Sequence, residues 1–544
     1  MTRQYLNSYF AQKAAFEVSP LPENMGEFVR ERAQTMQGAL VGNWFEEGET
    51  LSYRAFDEQA DLLAASLLKR GVRKGTHVAV MLPNVAAYPV AWIAIGRIGA
   101  IMVPVNTAYT SDEMHFVLSD SDSQFLIIDR SLLSIYEGID KPLPLLSRER
   151  VFVRDAAQTG YADLAGLIAE GTLPFVAPSP VVRDDLLCIQ YTSGTTGFPK
   201  GCMLTHDYWL IISHYAAEFR HVEGRPIERT LIWAPFFYMD GMWQFLMAVR
   251  LGATVHMPKR LSLTKFVGWL KEYKINFCNF PEVAYRNLPP DISPEDLSLV
   301  YIGAYSWQPQ NRREVQERFN LVAREAFGMT ENGSCTIIPT EAVEKSWITT
   351  VGIEAPFRRL RIVDDEGNDV PDGEVGELWV AGRGILWGYY KRPEANGESF
   401  RGEWFRTGDL FRRDADGFYH IVGRIKDMIK RSGENIAAQE VEAVLRQADG
   451  VSEAAVIAVP DELRKEEVKA YLLLREGATP ETVTPESVLE HCRKSLAAFK
   501  IPRYITYVDE FPRTPSRKIR KSELLKAPGD LRSGAWDRES GTWR

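Results

Sequence analysis

Eleven consecutive residues constrain this chain more than any other stretch: Tyr191-Thr192-Ser193-Gly194-Thr195-Thr196-Gly197-Phe198-Pro199-Lys200-Gly201. They follow directly on an apolar run at 186–190 that reads as a buried strand. Thr192, Ser193, Thr195 and Thr196 supply hydroxyls, Gly194, Gly197 and Gly201 let backbone N–H groups approach an anion closely, and Lys200 adds a mobile positive charge. The loop is not a Walker A sequence, because the spacing from Gly194 to Lys200 is wrong and Gly201 stands where a Ser or Thr is required. By composition alone it reads as a phosphate cradle or as an ordinary Ser/Thr/Gly surface loop.

What surrounds the loop is α/β. Runs at 78–82, 101–105, 125–129, 231–234, 253–257 and 275–280 read as strands, with helical patterns at 57–69 and 207–218 between them. Thr110 and Glu113 have the spacing of a capping box. The apolar stretch 85–105 is long enough to suggest a membrane span, but it holds Gly96, Arg97 and Gly99 and breaks at Pro104. It is expected to be a buried helix followed by a buried strand. At 544 residues, two or more domains are expected. From about residue 361 the pattern changes to hairpin-like strands. The expected division is a large N-terminal domain at 1–425, a small α+β domain at 426–527, and a loosely held polar tail at 528–544.

A net charge of −9 disfavours a nucleic-acid partner. Cys188, Cys202, Cys278, Cys335 and Cys492 show no metal or redox spacing. Residues 1–20 lack the apolar core of a signal peptide, so a soluble cytoplasmic protein without an integral membrane segment is expected. Neither oligomeric state nor pathway can be read, and a homodimer stays open.

The loop closely resembles the signature of the adenylate-forming (AMP-binding) superfamily: acyl-CoA synthetases, peptide-synthetase adenylation domains and firefly luciferases. The likeness runs from Leu51-Ser52-Tyr53 to Lys518. It implies layered α/β sheets and a distorted β-barrel in the large domain, with a small mobile α+β lid. It also implies a nucleotide site assembled from distant stations. The loop residues Thr192 to Gly197 and Lys200 would hold phosphates. Phe327-Gly328-Met329-Thr330-Glu331 matches the aromatic-Gly-x-Thr-Glu motif, with Phe327 stacking on adenine, Thr330 on the α-phosphate, and Glu331 with Thr195 on magnesium. Asp409, in Thr407-Gly408-Asp409, and Arg424 would take the ribose, and Gly303, Ala304 and Tyr305 would line the nucleotide. Lys518 is placed as the catalytic lysine, beside Lys200, Thr330 and Glu331, although Arg517 replaces the glycine usual before it.

The same resemblance makes Lys426 a hinge and puts Lys430, Arg431, Ser432 and Gly433 on the path of coenzyme A. The implied reaction converts a carboxylate and ATP to acyl-AMP and pyrophosphate, then transfers the acyl group to coenzyme A. A stand-alone enzyme loading a carrier protein, a luciferase-type oxygenase and a silent nucleotide binder would share many of these stations. The acyl pocket would be lined by Tyr238, Met239, Asp240, Gly241, Gly303, Trp307 and Gly328. Tyr305 and Trp307 either narrow it or belong to the core. Asp240 suggests a cationic acid, a flavour close to carnitine or crotonobetaine ligases, with short- or medium-chain acids as the alternative.

Overall fold

The computed structural model describes residues 2–192, 199–432, 434–513, 519–526 and 529–544. The chain divides into two compact units. One comprises Met1–Leu360 with Val380–Phe405, and the other Arg361–Trp379 with Arg406–Arg544. The expected boundary at 425/426 falls inside the second unit.

Two seven-stranded sheets of like construction dominate the first unit. One runs in the order Val322–Arg324, Tyr301–Gly303, Phe277–Asn279, Arg229–Leu231, Thr254–His256, Leu40–Trp44, Glu49–Ser52. The other runs Ala162–Asp163, Val151–Arg154, Phe125–Asp129, His77–Met81, Ile101–Pro104, Leu186–Thr192, Lys200–Thr205. In each, six strands are parallel and the last is antiparallel. Strands buried on both faces explain the unbroken apolar runs in the sequence. The helices Tyr53–Lys69, Ala87–Ile98, His206–Glu218 and Met239–Leu251 share one core with residues from both sheets, including Val78, Val80, Val41 and Val255. The suspected membrane stretch is the helix Ala87–Ile98 followed by the strand Ile101–Pro104, both buried as expected. No helix among the described residues is long and apolar enough to cross a membrane.

Element ends depart from the sequence reading by a few residues. The helix expected to open at 57 begins at Tyr53, because the Ser52 hydroxyl accepts the Ala55 N–H and caps it there. The capping box of Thr110 and Glu113 is formed as expected. Two smaller, curled sheets correspond to the distorted barrel that was expected. One has three strands (Ala326–Met329, Gly333–Ile337, Ile353–Glu354). A second, five-stranded sheet comprises Arg358–Val363, Gly376–Gly382, Phe400–Arg401, Trp404–Arg413 and Tyr419–Arg424.

In the second unit, seven strands make a mixed sheet, with the helices Ala438–Leu445 and Pro485–Arg493 packed in its core. Here the tail corrects the sequence reading. Instead of lying loose, Trp536–Asp537 pairs with Tyr504–Val508, and Thr542–Trp543 pairs with Trp536–Asp537. Asp537 is buried between Arg503, at 3.2 Å, and Arg544, at 3.2 Å. The charges that made this segment look solvated are partners of one another. Trp536→Ala is expected to destabilise the second unit by about 3–5 kcal/mol. Chemical denaturation followed in that unit would show a lower midpoint; an unchanged midpoint would mean that the hairpin contributes nothing.

Three buried histidines make stability depend on pH. Burial drives His206, His214 and His256 down from 6.5 to about 4. The unfolded chain therefore takes up protons between about pH 6.5 and 4 that the folded chain refuses. Stability is full above 6.5 and is lost as pH falls through that window, by on the order of 3 kcal/mol per histidine. Glu325, raised by burial to about 7, acts in the opposite sense over part of the range. Thermal melts should fall steeply between pH 6.5 and 4, and less steeply in His206→Gln. A flat profile would contradict the assignment.

Candidate active site

Parallel sheets place their ligand-binding loops beyond the carboxyl ends of the strands. The singled-out segments of the first unit lie there. Residues 234–241 follow Arg229–Leu231, residues 304–307 follow Tyr301–Gly303, and the strand Ala326–Met329 follows Val322–Arg324. Ser193, Gly194, Thr195, Thr196 and Gly197 lie outside the described residues, but both ends of their loop are held, with Thr192 paired to Lys200.

Glu331 sits in the turn between Ala326–Met329 and Gly333–Ile337. Gly328 is required just before it, because a Cβ at that position would lie 2.2 Å from the Gly333 carbonyl oxygen. Met329 N–H donates to Asn332 Oδ1, and the buried Arg358 donates to Asn332 O at 2.9 Å, fixing the turn. The Glu331 carboxylate, 8% exposed, accepts the Tyr389 hydroxyl at 2.9 Å, and its backbone oxygen accepts Leu386 N–H at 2.7 Å. The Lys200 ammonium stands 4.3 Å over the ring of that same Tyr389. Thus Tyr389 joins Lys200 and Glu331, two residues 131 positions apart. Burial and the Glu331 charge push the phenol far up, so it stays a donor. Flanking anchors hold it: Tyr390 donates to Asp122 at 2.8 Å and Arg392 pairs with Asp120 at 2.6 Å.

Sequence reasoning missed Tyr389, because Trp387-Gly388-Tyr389-Tyr390 looks like any aromatic run. It also missed three polar side chains that fix the 234–241 segment. Asn84 accepts Phe236 N–H, Gln190 donates to Phe237 O at 3.1 Å, and Asn106 donates to the Tyr238 hydroxyl at 3.1 Å. In this segment, Met239 sulfur accepts Tyr208 O–H, and Gly241 lies in the helix Met239–Leu251. Asp240 is exposed in the first turn of that helix, with Oδ1 accepting the Trp243 indole N–H at 3.0 Å. Trp307 settles one open alternative: it is 4% exposed, donates to Phe280 O and stacks on Tyr285, so it is a core residue. Tyr305 is half-buried, and Gly303 and Ala304 are buried beside it. Phe327 and Thr330 are half-buried, with the Phe327 N–H bonded to Thr336 Oγ1.

The second unit holds its own stations. Asp409 and Arg424 face each other across paired strands, with Nε to Oδ1 at 2.8 Å. Gly408, at φ +71°, makes the bend that only glycine adopts freely, and its N–H is held by Glu377 at 3.1 Å. Lys426 is exposed in the single turn Ile425–Asp427, and Lys430 is exposed as well. Arg431 is committed to the buried Glu467 at 2.8 Å, and Ser432 N–H donates to Arg464 O. Gly433 and Lys518 lie outside the described residues.

A family model described as AMP-binding enzyme matches residues 29–390, and one described as AMP-binding enzyme C-terminal domain matches residues 440–518. The chain belongs to the AMP-binding enzyme family. A relative in this family, the putative acyl-CoA synthetase YngI of Bacillus subtilis, is 30% identical over 87% of this chain and 91% of its own length. Relatives at 28–31% identity are named for acids as different as long-chain fatty acids, oxalate, and crotonobetaine or carnitine. Among solved structures, the anthranilate CoA ligase AuaEII in complex with anthranoyl-AMP superposes with a TM-score of 0.82 at 26% identity, covering 94% of this chain and 98% of that one. The o-succinylbenzoate coenzyme A synthetase MenE of Bacillus subtilis, in complex with ATP and magnesium ion, gives 0.77 at 26% identity, covering 93% and 100%.

Proposed function

We propose that this AMP-binding enzyme is an ATP-dependent acid–thiol ligase, an acyl-CoA synthetase. The observation that carries the proposal is the joining of Thr192, Lys200, Tyr389 and Glu331 at the strand ends of one unit. A carboxylic acid is a poor acyl donor because hydroxide leaves badly; an acyl-AMP mixed anhydride gives a good leaving group. Its formation needs positive charge along the polyphosphate and around the α-phosphate, where charge develops in the transition state. Lys200 and the 192–197 loop would hold phosphates, Thr330 the α-phosphate, Phe327 the adenine face, and Asp409 with Arg424 the ribose. Lys518 would bridge the attacking carboxylate and the α-phosphate.

ATP and magnesium are consistent with complexes known for similar enzymes. The buried Glu331 carboxylate suits a hard cation that takes one or two protein carboxylates plus substrate phosphates, and by the resemblance Thr195 would add its hydroxyl. When bound, magnesium neutralises the departing pyrophosphate.

For the second half-reaction, Lys426 would act as the hinge, and Lys430, Arg431, Ser432 and Gly433 would line the thiol's approach. Lys426→Pro is expected to slow at least one half-reaction, because the hinge must absorb the change in φ and ψ. Wild-type rates in both would remove the hinge assignment. The acceptor is tested by thiol-dependent AMP release from purified protein supplied with coenzyme A or with a phosphopantetheinylated carrier protein. Release with coenzyme A alone is expected; release only with the carrier would make this a stand-alone adenylation enzyme.

A further inference from the structure

Arg220 follows the helix His206–Glu218, is 4% exposed, and has no carboxylate within 4 Å among the described residues. Its Nη1 donates to Ala216 O at 3.3 Å and its Nη2 to the Tyr305 hydroxyl at 3.4 Å, both long, while Nε has no hydrogen-bond partner among the described residues. Other buried arginines of this unit are better satisfied. Arg97 pairs with Asp57 and Asp61, and Arg312 with Glu325. Arg358 and Arg324 each spread several bonds over carbonyl oxygens. A buried guanidinium left so poorly paired is costly, by several kcal/mol on the usual scale. Charges of this kind persist where a ligand supplies the missing anion.

Two aromatic faces offset part of that cost without supplying a counter-charge. Arg220 Cζ lies 4.9 Å from the Trp243 ring centroid and 6.0 Å from that of Tyr301, whose buried hydroxyl has no partner among the described residues either. Trp243 binds Asp240, and Tyr305 follows Gly303 and Ala304, so Arg220 stands between the two segments assigned to the acyl group. We propose that Arg220, with the Tyr305 and Tyr301 hydroxyls, recognises a second anionic group at the far end of the acid, and that the substrates are short acids carrying a terminal carboxylate or sulfonate. The proposal rests on the acyl pocket lying between residues 234–241 and 301–307. It reverses the cationic preference suggested by Asp240: that carboxylate is exposed and bonded to Trp243, whereas the guanidinium beside the same indole would repel a trimethylammonium group.

The test is acid-dependent ATP–pyrophosphate exchange by the full chain. The acids are malonate, succinate, glutarate and 3-sulfopropionate, their chain-matched monoacids, and 4-(trimethylammonio)butyrate. At one chain length the dianionic acid should exceed its monoacid in kcat/KM by about 100-fold or more, as expected where a buried polar group would otherwise stay unpaired. The dicarboxylate and sulfonate arms distinguish the two anions. In Arg220→Gln the ratio should collapse towards one, and Arg220→Lys should recover part of it. A wild-type enzyme that prefers monoacids or the cationic acid overturns the proposal, whether or not the variants fold. Equal losses for mono- and dianionic acids in Arg220→Gln also overturn it, reducing Arg220 to a helix cap. Exchange with no acid at all would instead defeat the underlying adenylation reading.

Discussion

Replacing Lys518 by alanine is expected to lower adenylation by about 100- to 1,000-fold, the scale seen when one preorganised donor to a developing charge is removed. Thioester formation from supplied acyl-AMP should stay near its original rate. The asymmetry follows from where charge develops. In the first step the carboxylate approaches an anionic α-phosphate, and an ammonium between them offsets both charges. In the second step a thiol attacks the acyl carbon of an anhydride whose phosphate already carries its charge, so the same ammonium no longer has to offset the approach of one anion to another. The ends of the segment that carries Lys518 are tied: Arg513 and Ile519 form a β-bridge, Arg520 N–H donates to Pro512 O at 2.7 Å, and Arg513 pairs with Glu453 at 2.6 Å. Single-turnover assays of each half-reaction would check the asymmetry, and equal loss in both would contradict the division of labour.

The second large effect is expected at Glu331. Glu331→Gln keeps the shape and a partner for the Tyr389 hydroxyl but removes the charge, so folding should be little affected. Adenylation should fall by on the order of 100-fold or more, because the polyphosphate loses its carboxylate-supported cation. Raising magnesium should recover part of the rate. Tyr389→Phe removes one hydrogen bond to that carboxylate and should cost only about tenfold, near the value of one charge-assisted bond. Steady-state rates against magnesium concentration separate the two. A Glu331→Gln enzyme with wild-type rate and unchanged magnesium dependence would remove Glu331 from the site.

The parts of this molecule most legible in its sequence are those where pattern and burial coincide. Parallel strands buried on both faces print continuous apolar runs, so the sheet positions of Leu186–Thr192 and Phe125–Asp129 could be read almost to the residue. The pairing of Thr192 with Lys200 and the facing of Asp409 and Arg424 across two strands were not read from the sequence, because cross-strand register is set only on folding. What escaped depends on distant partners. Residues 528–544 looked solvated because Asp537 and Arg544 are charged, yet each finds its counter-charge after folding. Tyr389 carries no motif and matters because the fold sets it between Lys200 and Glu331. Arg220 is one arginine after a helix until three dimensions show that no carboxylate of the described residues lies beside it. Trp307 could be a pocket wall or a core ring by sequence, and only its partners Phe280 and Tyr285 decide.

The most direct measurement follows an oxygen atom. The enzyme is given ATP, coenzyme A and an accepted acid labelled with oxygen-18 in its carboxylate, and the released AMP is analysed by mass spectrometry. Attack of the carboxylate on the α-phosphate, followed by thiol cleavage of the acyl–oxygen bond, leaves one labelled oxygen in each AMP. Label in inorganic phosphate or pyrophosphate, or unlabelled AMP alongside labelled thioester, would contradict an acyl-adenylate intermediate.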